Sequence, residues 1–333
     1  METIPCLDSR RASRPVFFLF FLLILFFGSS PPAFSQEKNK QEISYDVAVT
    51  AISIAVSVQD RGGRHITDLT EEDFVIYEDD EKKAITYFSH DYEAPLSLTV
   101  LLDVSGSMAL QDKLAESKDA LRYMIDSLLQ DRDELALLIF ADGEVEIASN
   151  FSGDRSGFLS VLDRTEAYGQ TALNDAVGVS PDFANRGNNE KRALLLITDG
   201  IENDSEYSPE KAIEVARRVD VPIYTIGYKI PLNEQFLKKY KRSEGLTATG
   251  IIDSLERFSA ATGGKAFFVD QTLDLKNALR LIKLELSHQY ILGYTSYSDP
   301  DNDYRKIRVV TNKKRYRVRT REGYYSGEKK EAP

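Results

Sequence analysis

The stretch that most constrains this chain is residues 98–108, which read LTVLLDVSGSM. Residues 98–102 are an unbroken run of apolar and β-branched side chains, the pattern of a strand covered on both faces inside a parallel sheet. The run ends abruptly in Asp103, with Ser105 and Ser107 two and four residues on. Open α/β sheets place their ligands just beyond the carboxyl ends of their strands. A carboxylate and two hydroxyls presented there are hard oxygen donors, the type that Mg²⁺ and Ca²⁺ take.

The rest of the chain supplies the sheet that such a strand needs. Strand-like runs at 98–102, 135–140, 193–197, 223–228 and 266–269 alternate with helical stretches at 110–129, 155–162, 171–183, 209–219, 251–261 and 273–286. That alternation predicts a doubly wound, mostly parallel six-stranded α/β sheet of Rossmann-like type, with 145–148 as an antiparallel edge strand after the Asp142-Gly143 turn. The insert 229–250 is polar and reads as a loop or short helix. Residues 43–94 and 289–320 are β-rich, and neither makes a sufficient core alone, so the two ends are expected to fold together into one flanking β-domain. The expected division is 1–35 signal peptide, 36–94 N-terminal β-module, 95–286 α/β domain, 287–325 β-strands packing with the N-terminal module, and 326–333 disordered tail.

A second strand end, Thr198-Asp199-Gly200, and a loop, Gly169-Gln170-Thr171, belong at the same edge of the sheet. Together with the first they offer two carboxylates and three hydroxyls. With so few protein charges, a bound divalent ion would stay electrophilic enough to accept an external carboxylate.

At these residues the chain resembles the von Willebrand factor type A domain family, whose metal-ion-dependent adhesion site has the form D-x-S-x-S with a distant Thr and a distant Asp. The matching positions are Asp103, Ser105 and Ser107 in DVSGS, Thr171 in GQTAL and Asp199 in TDG. The resemblance implies direct coordination of a divalent metal, Mg²⁺ first and Mn²⁺ or Ca²⁺ as the other candidates, by Ser105, Ser107 and, when ligand is bound, Thr171. Asp103 and Asp199 would then hold coordinated waters. The flanks DLTEEDFVIYEDDEKKAITYF, YILGYTS and YRVRTREGYY resemble the VWFA-related proteins first described in acidobacteria. A non-enzymatic binding protein follows, its metal completed by an Asp or Glu of a protein partner. The alternative is an envelope assembly module in which metal only stiffens the loops and the β-domain makes the contacts.

Other features bound this reading. Arg10, Arg11 and Arg14 precede the apolar run 16–27, and Ala33-Phe34-Ser35 supplies a small-x-small site before Gln36, the pattern of a secretory signal peptide. The run is short of the roughly 20 residues that cross a bilayer. An extracytoplasmic protein is expected, touching membrane only if that leader stays attached. The formal charge of −11 disfavours nucleic acid, and the lone cysteine, Cys6, lies in the leader. Ser105 has no base available as a nucleophile, because His65, His90 and His288 all fall in the β flanks, where each reads as an ordinary surface or turn residue. The acidic stretch 299–303 lacks the Gly and Glu of an EF-hand, Tyr304 and Val310 standing in their places, and reads as a solvated turn. Arg315, Arg317, Arg319 and Arg321 give one strand a cationic face, expected to balance the acidic turn 78–81 or guard an edge. The oligomeric state is not legible.

Overall fold

The computed structural model describes residues 3–4, 48–231, 247–298 and 304–326. The apolar leader run, the polar start 36–42, most of the 229–250 insert, the 299–303 turn and the tail 327–333 lie outside the described residues. Among those described, no helix is long and apolar enough to cross a membrane.

The strands are, in chain order, β1 (Thr3–Ile4), β2 (Ala48–Gln59), β3 (Phe74–Glu78), β4 (Glu81–Lys83) and β5 (Ile85–Ser89). The α/β region follows with β6 (Leu96–Asp103), α1 (Lys113–Ser127), β7 (Glu134–Ala141), β8 (Glu144–Ser152), α2 (Arg155–Arg164) and α3 (Leu173–Ala184). It continues through β9 (Lys191–Thr198), α4 (Pro209–Ala216), β10 (Ile223–Tyr228), α5 (Ala248–Thr262), β11 (Ala266–Val269) and α6 (Thr272–Ser287). The chain closes with β12 (Tyr290–Ser298), β13 (Tyr304–Thr311), β14 (Arg317–Arg319) and β15 (Gly323–Tyr325).

The main sheet runs β1-β8-β7-β6-β9-β10-β11. The five strands β7, β6, β9, β10 and β11 are mutually parallel, and β8 is the antiparallel neighbour of β7. β1 adds only two residues beside β8, pairing Thr3 with Glu146 and Ile4 with Val145. β6 lies at the centre with all eight residues buried, as its unbroken apolar run requires. Leu98, Val100 and Leu102 pack on the α1 and α6 side against Leu121, Met124 and Leu279. Leu101 packs on the other face with Val177, Leu255 and Phe258.

Local chemistry sets the helix ends. Asp154 accepts the Gly157 amide at the start of α2, Ser208 precedes a first-turn proline in α4, and Thr247 accepts the Gly250 amide in α5. Gly263 closes α5 in the left-handed region at φ 84°, where a side chain would also run into the backbone of Thr320 and Arg321. α1 begins at Lys113 rather than at 110. Residues Gly106–Asp112 form a 3₁₀ segment, with Gln111 and Asp112 at φ 56° and 57°, and this left-handed kink breaks the helical stripe read from the sequence.

The flanking domain pairs the chain ends strand by strand. β12 lies between β2 and β5 in one four-stranded sheet, and β13 lies between β3 and β15 in another. Tyr290 stands opposite Val56, and Val309 opposite Ile76. Ile54, Val56, Ile76, Tyr290 and Leu292 form its shared core.

The cationic strand β14 does lie at the edge of its sheet, as one of its two readings has it, but its end does more than guard that edge. Arg319 pairs with Glu285 of α6, and Arg321 lies 3.4 Å from Asp220 while donating to the Ser53 carbonyl. These arginines fasten the β-domain to the α/β domain. They cannot balance the 78–81 turn, because Glu78 faces the core and accepts the hydroxyls of Ser296 and Tyr324. Asp79 and Asp80 pair instead with Arg305 and Arg308.

Candidate metal centre

The carboxyl ends of β6 and β9 lie side by side, Leu102 being in register with Ile197. Asp103 is fully buried, and each of its oxygens has a partner: Oδ1 accepts the Ser105 amide at 2.9 Å and Oδ2 accepts the Thr198 hydroxyl at 2.5 Å. The first bond folds the DxSxS loop back on its own carboxylate. It brings the Ser105 and Ser107 hydroxyl oxygens to 3.1 Å from one another. Asp199 is equally buried; Oδ1 accepts the Ile201 amide and Oδ2 receives the Lys113 ammonium at 2.6 Å.

The Thr171 loop is fixed against the same site from the side. The Gly106 amide donates to the Gly169 carbonyl, and the Tyr168 amide donates to the Val104 carbonyl. A Cβ at Gly106 would press to 3.2 Å of that Gly169 oxygen, so the close approach uses the missing side chain. Thr171 is buried, its amide donating to Asn203 Oδ1 and its carbonyl accepting the amides of Asn203 and Asp204. Glu202 accepts the Ser205 hydroxyl and the Asn174 amide, and Asp175 accepts the amides of Glu206 and Tyr207. Those carboxylates staple the loop rather than face the hydroxyls.

Asp103, Ser105 and Ser107 are thus joined directly. Asp199 enters through the neighbouring strand end, and Thr171 through the backbone of its loop. Burial, followed by the charge of Asp199, pushes the Asp103 carboxyl up to about 7, against the lowering effect of its Thr198 and Ser105 hydrogen bonds. The one ammonium here, Lys113, lies on Asp199, so ionising Asp103 leaves a negative charge with no cation of its own, which a divalent cation fits. Among the described residues no three His, Cys, Asp or Glu side chains converge as a metal cluster, so a hard cation here must draw on the serine and threonine hydroxyls.

Lys113 is the residue of this candidate site that sequence reading missed. It opens α1 and is only 2% exposed, yet nothing in its local pattern separates it from an ordinary helix-surface lysine. Only the packing of α1 on the end of β9 brings it to Asp199.

The histidines also differ from expectation. They gather at the amino-terminal edge of the sheet, away from Ser105: His90 stacks on Tyr290 at 3.9 Å, and His65 stacks on His288 at 5.5 Å. Tyr92 meets both His90 and His288 edge-on. They are half-buried parts of a domain junction, brought together because α6 delivers His288 to the turn after β2.

Residues 98–202 match the family model described as von Willebrand factor type A domain, a span containing all five site positions. An uncharacterized protein of Borreliella burgdorferi is 25% identical over 235 residues, covering 66% of this chain and 63% of that protein. The inter-alpha-trypsin inhibitor heavy chain H3 of Rattus norvegicus is 26% identical over 176 residues, 46% of this chain and 19% of the heavy chain. Among solved structures, the conserved hypothetical protein BatB from Bacteroides thetaiotaomicron superposes with a TM-score of 0.45 at 18% identity, covering 58% of this chain and 98% of that one. The chain therefore spans under two thirds of either sequence relative. The match to the von Willebrand factor type A model, residues 98–202, falls in the middle of a chain whose two ends build a second, all-β domain.

Proposed function

We propose that this is an exported, non-enzymatic binding protein that captures an acidic side chain of a protein partner through a divalent cation, Mg²⁺ in the first place. Bound at this edge, the ion would supply an open, electrophilic position for the partner's carboxylate. The residues that would hold it are Asp103, Ser105, Ser107, Thr171 and Asp199. The observation that carries the reading is the buried oxygen set itself, with two adjacent hydroxyls beside a carboxylate whose own hydrogen bonds do not fully stabilise its charge. Ser105 is read as a ligand and not a nucleophile because its hydroxyl faces Ser107 and the histidines lie at the other edge of the sheet. Tyr168 stands 45% exposed at the rim, near the negative charges of Glu146, Asp142 and Glu144. Such a rim favours a partner whose acidic residue is surrounded by basic ones.

Asp103→Ala is expected to weaken Mg²⁺ binding about a hundredfold, the upper range for losing a group that orients metal ligands. Isothermal titration reads this directly. In the wild type, Mg²⁺ must displace the proton that Asp103 holds, so affinity should rise with pH up to about 7 and level off above it. Partner capture in Mg²⁺ should be released by chelator and be absent in Asp103→Ala. Capture that survives both treatments would transfer the contacts to the β-domain and leave the ion a stabilising role only.

A further inference from the structure

A second cavity lies at the opposite end of the sheet from the DxSxS loop. It opens between the turn after β2, the amino end of β11 and the last turns of α6, and has a volume of about 430 Å³. That α6 ends at the amino-terminal edge is fixed by Lys191, at the start of β9, which donates to the Ser287 carbonyl at 3.1 Å. The size is that of small-molecule sites, which combine apolar walls with a few convergent polar groups.

The charges in this cavity are unbalanced. Among the described residues Glu285 is the one carboxylate in its lining, and it is already engaged by the Tyr224 hydroxyl and by the Arg319 guanidinium. Lys265 is half-buried at the cavity wall. Among the described residues no carboxylate faces its ammonium, which rests over the Phe267 ring at 4.9 Å, and burial together with Arg319 holds it below the usual lysine range. His65 contributes a buried Nδ1 without a hydrogen-bond partner, and its other nitrogen meets the Gln59 amide. Burial comes first, then the charges of His288, Arg319 and Lys265, in pushing His65 down to about 4. Among the described residues the site thus holds one cation without an answering anion, the Lys265 ammonium, beside an uncharged His65 ring. Arg64 at the mouth is exposed and paired with Asp60, so it adds little.

The remaining wall is apolar. Leu281 and Leu284 of α6 are 40% and 39% exposed, side by side with the Phe267 ring. We propose that this cavity binds a small amphiphilic carboxylate, its anion against Lys265 and the His65 edge and its alkyl chain along Phe267, Leu281 and Leu284. Such a ligand would touch the turn of the β-domain and the end of α6 at once, and so would clamp the junction between the two domains. It is independent of the metal reading.

The test uses the full chain and octanoate as the probe, followed by isothermal titration, with 1-octanol and acetate as controls for the chain and the charge. Octanoate should bind at one saturable site, and each control at least about tenfold more weakly. Lys265→Glu should weaken octanoate at least about tenfold, with Lys265→Met as a second variant should the charge reversal disturb folding, while Asp103→Ala should bind octanoate as the wild type does. The ring-proton resonance of His65 should titrate at higher pH in saturating octanoate, because an anion beside the ring favours its charged form. No saturable binding, equal binding of octanol, or wild-type affinity in both Lys265 variants would each overturn the proposal.

Discussion

Lys113→Met is expected to lower the stability of the chelator-treated protein by about 3–5 kcal/mol, the cost of leaving one member of a buried ion pair without its partner. The Lys113 and Asp199 side chains are 3% and 0% exposed and 2.6 Å apart, so neither solvent nor salt screens the loss. Methionine keeps the aliphatic volume of the lysine stem, which confines the change to the charge. Asp199 would then sit beside Asp103 with no counter-charge, and a divalent cation would become the only positive group able to answer both. The same variant is therefore expected to gain more from Mg²⁺ than the wild type does. A ligand present at a hundred times its Kd adds about 2.7 kcal/mol, and a tenfold tighter Kd in the variant raises that to about 4 kcal/mol. Thermal unfolding with Mg²⁺ and with chelator reads both effects. Wild-type stability of Lys113→Met in chelator would dispose of the idea that Lys113 is the resident cation of this site.

Asp133→Ala is expected to cost a similar 3–5 kcal/mol, at the opposite edge of the sheet from the proposed metal ligands. Its side chain is fully buried and holds three donors: Oδ1 accepts the Leu96 amide at 2.8 Å, and Oδ2 accepts the Gln130 amide and the Lys283 ammonium, both at 2.9 Å. One carboxylate thus joins the start of β6, the turn before β7 and the body of α6. Removing it strands two backbone N–H groups as well as a charge, so replacing both partners with apolar residues cannot rescue the site. Lys283→Met alone should cost less, about 1–3 kcal/mol, since Asp133 would keep its two amide partners. Chemical denaturation of the three proteins orders these costs, and an Asp133→Ala protein within about 0.5 kcal/mol of wild type, the range of an ordinary surface change, would refute the assignment.

Much of the fold was legible because it is encoded at short range. The apolar run before Asp103 demanded a central strand, and β10 and β11 were bounded correctly by their own residues. The closure of the two chain ends into one domain was legible too, since neither β-rich end carried enough apolar surface to stand alone. The errors share a cause. The 3₁₀ kink before α1 depends on left-handed residues that carry no glycine signature, and Arg319 and Arg321 were read as balancing the 78–81 turn or guarding an edge because alternation reports a side chain's direction and not its partners.

The sequence by itself determined which oxygen-bearing residues the chain possesses and at which strand ends they fall, because strand and helix periodicity are local properties. Tertiary structure alone decided how they are answered. Lys113 and Asp199 are 86 residues apart, Asp133 and Lys283 are 150 apart, and the His65 and Lys265 walls of the second cavity meet only across the domain junction. Contacts of that separation have no periodic signature. They exist because helices must cover both faces of a buried parallel sheet, and the positions of those helices decide which charges share a dry interior.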